Sequence, residues 1–410
     1  MVAEPLYTAE EMRAAEGAYE GTTLELMERA GIATAEAILT HYPEAASVSV
    51  WCGTGSNGGD GFVVARKLHE AGRTVEIRLL GGEERVAGDA AENLRRAREA
   101  GLPFVEVGEE GEVEVADIGL HQLETRHMRV RPEILELVPR RGPEDNKYSA
   151  GSVVVVGGSR GKTGAACLAA EATLRAGAGI CTACVPASLE AIFEQRLLEV
   201  MTRACPDEDG VMTMDAADTI VEAAERATAI ALGPGLGRTD GTRALVGYLL
   251  DRLDKPIVLD ADGLWAVAGH LDWVFARDAP TVLTPHEGEL ARLLGRKSEW
   301  VRARRLHAAQ AGADDVGAVV LLKGADTIVA APGRGVLVSD LGNPGLATAG
   351  AGDVLSGIVA AFLSKGMEGR LGAAAAAAAQ GVAADLAAER HGAAGLLARD
   401  VVEALSLALS

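Results

Sequence analysis

Aromatic side chains are scarce, with 4 Trp, 5 Tyr and 5 Phe among 410 residues. A core must then be built from aliphatic residues, and the 48% apolar content supplies one and excludes a disordered chain. Positive charge is short as well. Lys and Arg number 39 against 59 Asp and Glu, a formal charge of −20, so no global basic surface is available to track nucleic acid or a membrane. Neither partner is expected, and a phosphate-bearing ligand must be held by local donors. Five cysteines (Cys52, Cys167, Cys181, Cys184 and Cys205) are too few and too odd in number to staple the chain, which suits a reducing compartment. No charged-then-apolar leader occupies Met1 to Tyr19, and the alanine run from Ala373 to Ala379 reads as too short to cross a bilayer. The chain is expected to be cytoplasmic.

The length is about twice that of a typical single domain, which points to two domains. From Ala9 to Val107, helical patterns alternate with strand-like runs at Ser47–Cys52, Thr74–Leu79 and Pro103–Val107, the order of a parallel sheet. From Gly108 to Asn146 no clean period holds. A second segment repeats the theme, with strands expected at Ser152–Val156, Ile180–Val185, Thr228–Leu232, Pro256–Leu259, Thr281–Thr284 and Ala318–Lys323. The unbroken apolar run at Ser152–Val156 suits a sheet covered by helices on both faces. The expectation is α/β throughout: a truncated Rossmann-like domain over 1–120, a linker over 121–146 and a doubly wound sheet over 147–410. Cys181 and Cys184 form a CxxC, but side chains three apart on a strand face opposite ways, so no metal or redox site is expected there.

Gly53-Thr-Gly55-Ser56-Asn57-Gly58-Gly59-Asp60 places a G-x-G-x-x-G after a strand and before a helix expected at Gly61–Gly72, with Glu76 on the next strand as a candidate ribose acceptor. Ser56, Asn57, Gly58, Gly59 and Asp60 are therefore candidate phosphate-loop residues, with a plain glycine turn as the alternative. Gly157 to Gly164 looks like a Walker A loop but is one residue short, because position 156 is Val; it reads instead as a glycine-rich lip at the end of its strand. Further strands run into Gly233-Pro-Gly235-Leu-Gly237, Asp260-Ala-Asp262 and Pro285-His286, lining polar groups along one sheet edge. The strongest pattern runs from Gly342 to Gly357. Gly350 and Gly352 expose backbone N–H groups where a helix is expected to begin, a cradle for phosphoryl oxygens, and Asp353 faces the same point. Such a set transfers a phosphoryl group to a hydroxyl: the donors take the developing charge while the carboxylate takes or orients the proton. The helix N-terminus is expected to lower the pKa of Asp353, so that positioning matters more than basicity.

Gly350-Ala-Gly352-Asp353 resembles the anion-hole and base motif of the ribokinase-like superfamily. With Thr284–Glu289, Leu232–Gly237 and Lys323–Thr327, the string Gly342–Gly357 is similar to the ADP/ATP-dependent NAD(P)H-hydrate dehydratases across nearly all of 147–410. Residues 1–107 and Val113–Leu120 resemble the NAD(P)H-hydrate epimerase domain often fused in front, through Met12-Arg13, Leu26–Gly31 and Asn57–Gly61. The resemblance implies that ADP or ATP phosphorylates the C6 hydroxyl of the S epimer of NAD(P)H hydrate and that phosphate is then eliminated. It implies Asp353 as base, Lys323, Gly324, Ala325, Asp326, Thr327, Gly350 and Gly352 on the nucleotide, and Ala165, Gly235, Gly237 and His286 beside Asp353 in the hydrate pocket. Mg²⁺ is expected with the donor phosphates, without an assigned protein ligand, and a homo-oligomer such as a tetramer is expected.

One departure stands. Val107–Val113 joins the third strand directly to Val113–Leu120, omitting the loop that carries the epimerase family's catalytic Asp and part of its potassium site. Epimerase activity is expected to be lost, with the potassium site incomplete. Two other readings stay open: a ribokinase-like kinase of a vitamin-type alcohol, and a front domain that binds dinucleotide without turnover.

Overall fold

The computed structural model describes residues 2–107 and 125–410. The string Val113–Leu120 and the junction leading to it therefore lie outside the described residues. Two compact units are present, one of Met1–Leu6 with Thr125–Ser410 and one of Tyr7–Glu124.

In the smaller unit the strands Ser47–Cys52, Thr74–Leu80 and Phe104–Val107 pair in parallel in that order. Helices Thr23–His41, Ser56–Glu70 and Gly88–Glu99 alternate with them or precede them. Thr22 starts its helix as a capping box: its Oγ1 accepts the Glu25 N–H at 3.1 Å while Glu25 accepts the Thr22 N–H at 2.9 Å. Phe62, Val63 and Leu68 of one helix bury against Ile77 and Leu79 of the central strand. Gly-rich residues 56–60, expected as a loop before the helix, form its first turn instead.

The larger unit is built on eleven strands. Seven of them run parallel in the spatial order Met201–Cys205, Ile180–Pro186, Ser152–Val156, Ala229–Leu232, Ile257–Leu259, Thr281–Leu283 and Val319–Leu322. Thr327–Ala330 and Leu337–Ser339 continue the sheet antiparallel, and His127–Val130 and Ala3–Leu6 close that side. Helices cover both faces, as the apolar strands require. Val153 and Val155 bury into one core with helices Thr163–Arg175, Ala351–Ser364, Gly369–His391 and Ala398–Ala408. Val154 and Val156 bury into the other. Cys181 belongs to the first core and Cys184 to the second, and all five cysteines are free and buried.

The expected boundaries need correction. Residues from Thr125 onward are not a linker, because Met128 and Arg129 pair with Leu337 and Val338, and the first strand of the chain pairs with the same element. These pairings span more than a hundred residues of sequence and carry no local periodic signal. The strands Met201–Cys205, Thr327–Ala330 and Leu337–Ser339 were likewise not legible from pattern. The alanine run is part of a 23-residue helix, Gly369–His391, that is long and apolar enough to cross a membrane, contrary to the expectation; 72% of its most apolar stretch is buried inside the unit, where it serves as a core helix.

Candidate active site

The carboxyl ends of the parallel strands deliver the site. Ile257–Leu259 ends in Asp260-Ala261-Asp262, where Ala261 is held at φ 50 and ψ −111, a conformation costly for a residue with a Cβ. That turn seats both carboxylates in the interior, 1% and 2% exposed. Asp260 Oδ1 accepts Lys323 Nζ at 2.9 Å and the Thr284 hydroxyl at 2.9 Å. Asp262 Oδ2 accepts Lys162 Nζ and the Gly237 N–H, each at 2.9 Å, and its Oδ1 accepts Arg238 Nε at 2.6 Å. Gly237 reaches that carboxylate at φ 100, a left-handed backbone open to glycine.

Across from these groups, Gly350 at φ 92 turns the chain into helix Ala351–Ser364, and no side chain caps the helix start. The first backbone N–H groups are left for a ligand, and Asp353 sits in the first turn. A Cβ built on Gly352 would lie 3.2 Å from Lys323 Nζ, so the lysine ammonium stands against the cradle. The expected depression of Asp353 does not occur. Burial and then the Asp260 charge push its carboxyl up to about 7, against the opposing pull of Lys323. The helix N-terminus is outweighed because Asp353 is desolvated beside other carboxylates. Burial works against the charge on Lys323, but Asp260 and Glu289 hold its ammonium above the ordinary value. Burial also opposes ionisation of Asp262, yet Lys162, the Gly237 N–H and Arg238 hold it below the usual carboxylate range.

The other expected residues are distributed unevenly. Gly235 approaches Ala165, whose Cβ would lie 3.0 Å from a Cβ on the glycine, so these two and Gly237 share the lip beside Lys162. His286 caps the helix Glu287–Leu293: its Nδ1 accepts the N–H groups of Gly288 and Glu289 at 3.0 and 3.3 Å. Its Nε2 lies 3.6 Å from Glu289 Oε1. Gly324, Ala325 and Asp326 form the turn between antiparallel strands, and Thr327 opens the second of them. Arg305 braces the turn, donating to Asp326 O at 2.7 Å and to Glu287 at 2.8 Å. Arg305, Asp260, Asp262, Lys162 and Arg238 escaped the sequence reading as site residues; Asp260, Asp262 and Lys162 lay inside strand-end motifs already singled out and Arg238 directly after one, whereas Arg305 carried no signal. Among the described residues no group of three His, Cys, Asp or Glu converges to hold a metal. Magnesium commonly keeps water and phosphate ligands and takes one or two carboxylates, so the donor set fits an ion that arrives with nucleotide phosphates but not a resident one.

In the smaller unit, the N–H groups at the start of Ser56–Glu70 have no side-chain cap, and Ser56, Asn57, Gly58, Gly59 and Asp60 lie around that helix start. Burial and Glu16 push the Asp60 carboxyl up to about 6. Glu76 is misplaced as a ribose acceptor: it lies in the first half of its strand and pairs with Arg78 at 2.6 Å, away from the carboxyl edge.

With this geometry, residues 153–407 match the family model described as NAD(P)H-hydrate dehydratase. The chain belongs to the NAD(P)H-hydrate dehydratase family. Residues 23–121 match a second model, the YjeF-related protein N-terminus. The bifunctional NAD(P)H-hydrate repair enzyme Nnr of Moorella thermoacetica is 33% identical, aligning 98% of this chain with 96% of its own. That alignment runs over 510 positions, at least 100 more than this chain has residues. The Mycobacterium tuberculosis enzyme of the same name is 38% identical over 258 positions that take in 63% of this chain and 50% of that protein. The dehydratase family member of Bacillus subtilis, an ADP/ATP-dependent NAD(P)H-hydrate dehydratase co-crystallized with ATP/Mg²⁺, superposes with a TM-score of 0.58 at 27% identity, covering 68% of this chain and 96% of its own. A ribokinase-like superfamily protein of Enterococcus faecalis, at 24% identity and a TM-score of 0.60, shares the fold.

Proposed function

We propose that this chain dehydrates NAD(P)H hydrate at the expense of ADP or ATP, acting on the S epimer. The reading is carried by one observation: Asp353, at about 7, stands at an uncapped helix start with Lys323 against the same cradle. In the first step Asp353 takes the proton of the C6 hydroxyl as its oxygen bonds to the terminal phosphorus of the nucleotide. The bond from that phosphorus to the leaving nucleotide breaks, and the backbone N–H groups from Gly350 onward hold the transferred oxygens. Lys323 faces the donor phosphates, and the Gly324–Thr327 turn lies beside the nucleotide. In the second step the C6–O bond breaks with the electron pair leaving on phosphate, and loss of a proton from the neighbouring ring carbon restores the reduced nicotinamide. A magnesium ion bound with the donor would neutralise phosphate charge in a site crowded with carboxylates. Ala165, Gly235, Gly237 and His286 line the hydrate side.

The test is recovery of the near-ultraviolet absorbance of reduced nicotinamide from purified hydrate, with ADP and ATP supplied separately and free phosphate measured in parallel. A phosphorylated product that accumulates without recovered absorbance would instead favour the kinase of a small alcohol.

The front unit is proposed to have lost epimerase chemistry. Support comes from the short stretch Val107–Val113 and from the Moorella thermoacetica relative, whose alignment needs 510 positions to take in 98% of these 410 residues. The uncapped helix start at Ser56 keeps the means to bind a phosphate.

A further inference from the structure

A basic cavity lies at the end of the larger unit remote from the catalytic edge. Its volume is about 410 Å³, and Arg140, Arg141, Arg175 and Lys365 line it together with apolar residues that include Val138 and Leu174. Among the described residues no Asp or Glu side chain lines it. In a chain with 59 acidic and 39 basic residues, a pocket lined by four cationic side chains is a local reversal of the overall charge.

The hydrogen-bond partners of these cations are main-chain oxygens, peptide carbonyls for Lys365 and Arg141 and an oxygen of the terminal residue Ser410 for Arg140. Lys365 Nζ donates to Ala176 O at 3.0 Å, Arg141 Nη2 to Ala178 O at 2.8 Å and Gly177 O at 3.3 Å, and Arg140 Nη2 to Ser410 O at 3.4 Å. Arg175 makes no hydrogen bond or close ion pair among the described residues and feels Glu171 only at longer range. Carbonyl dipoles orient Lys365 and Arg141 without neutralising them, and these two cations repel one another across the cavity. Lys365 registers this: burial and the neighbouring Arg141 push its ammonium down to about 8.

We propose that this cavity is a binding site for a small metabolite carrying a phosphoryl dianion, a phosphomonoester or a diphosphate. Planar guanidinium groups match phosphoryl oxygens in pairs, a lysine adds a point charge, and the apolar wall seats a body larger than a bare phosphate ion. The site is separate from the catalytic edge. Lys365 follows the helix that begins at Ala351, and 14 helical residues put about 20 Å between its two ends. Leu174 and Arg175 close the helix that begins at Thr163, beside Ala165. An anion held here therefore sits on the far ends of the two helices whose starts carry Asp353 and the hydrate-side lip.

The test is calorimetric titration of the full chain with inorganic pyrophosphate, without magnesium, on wild type, Arg140→Ala/Arg175→Ala and Arg175→Ala alone. The double variant is expected to lose one class of sites or to weaken it about tenfold or more, with the donor KM unchanged. Arg175→Ala, which removes a side chain without a bonded partner, keeps the fold and should weaken the same class alone. Isotherms equal to wild type in both variants would overturn the proposal. So would a loss of pyrophosphate binding matched by an equal rise in donor KM, which would place the lost site at the catalytic edge.

Discussion

Asp260 Oδ1 and Lys323 Nζ lie 2.9 Å apart, and this contact shapes the charge that faces Asp353. Burial raises the Asp353 carboxyl most, and Lys323 by itself pulls the other way. Asp260 answers the lysine and adds its own charge to the effect of burial, so Asp353 stands at about 7 and is suited to take a proton at neutral pH.

Asp353→Asn should abolish dehydration while sparing nucleotide binding, because the amide keeps the shape and cannot accept the proton. A fall of about 10² or more in kcat is expected, read beside a direct titration of the nucleotide. Retained turnover would remove Asp353 from its role as base.

The pH profile should follow the same group. With the base form required, kcat/KM should rise as pH climbs through about 7 and then level. In Asp260→Asn one like charge is gone, so the rise should move to lower pH.

Stability carries the opposite sign. The folded-state carboxyl of Asp353 titrates above its unfolded value, so this group's contribution is full below the unfolded value and is lost as pH rises toward about 7. Asp353→Asn, which never ionises, should therefore melt above wild type at pH about 8, by about 2–4 °C or more. Below pH about 4 the difference should fade. Melting curves at the two pH values check it.

Lys323→Ala should raise the KM for the donor nucleotide more than that for the hydrate, since the ammonium faces the cradle against Gly352. Separate titration of the two ligands decides it; an unchanged donor KM would contradict the placement.

Supplied with a mixture of the two C6 epimers, the enzyme should convert the S form quickly and then slow to the rate of uncatalysed epimerisation. Asp60→Ala should leave both phases unchanged. Enzyme-dependent conversion of the R form that this substitution abolishes would restore an epimerase to the front unit.

Gly357→Ala should destabilise the larger unit by about 1–3 kcal/mol in chemical denaturation, because the new Cβ would meet Ala169 O at 2.1 Å where helices Ala351–Ser364 and Thr163–Arg175 cross.

Much of the site could be read from strand-end motifs. Asp353 after Gly350 and Gly352 and the lip at Gly235 and Gly237 follow from glycines and charges next to apolar runs, whereas Lys323, at the end of a buried strand, entered through the family resemblance. Glu76 was misjudged, since only strand direction and the Arg78 contact show that it lies away from the edge. The protonation of Asp353 was misjudged for a related reason. A helix start is visible in a sequence, while desolvation and a second carboxylate 93 residues earlier in the chain are not.

Apolar periodicity, glycine placement and the overall charge settle the α/β class, the run of parallel strands, the opposite facing of Cys181 and Cys184 and the phosphoryl cradle, because each depends on residues within a few positions of one another. Long-range pairing settled the rest. His127–Val130 became a strand only by lying beside Leu337–Ser339, and the basic cavity exists only because Arg140, Arg175 and Lys365 are brought together from distant turns. Such contacts are selected by the burial of whole faces and by charges meeting in low-dielectric surroundings, which no local pattern encodes.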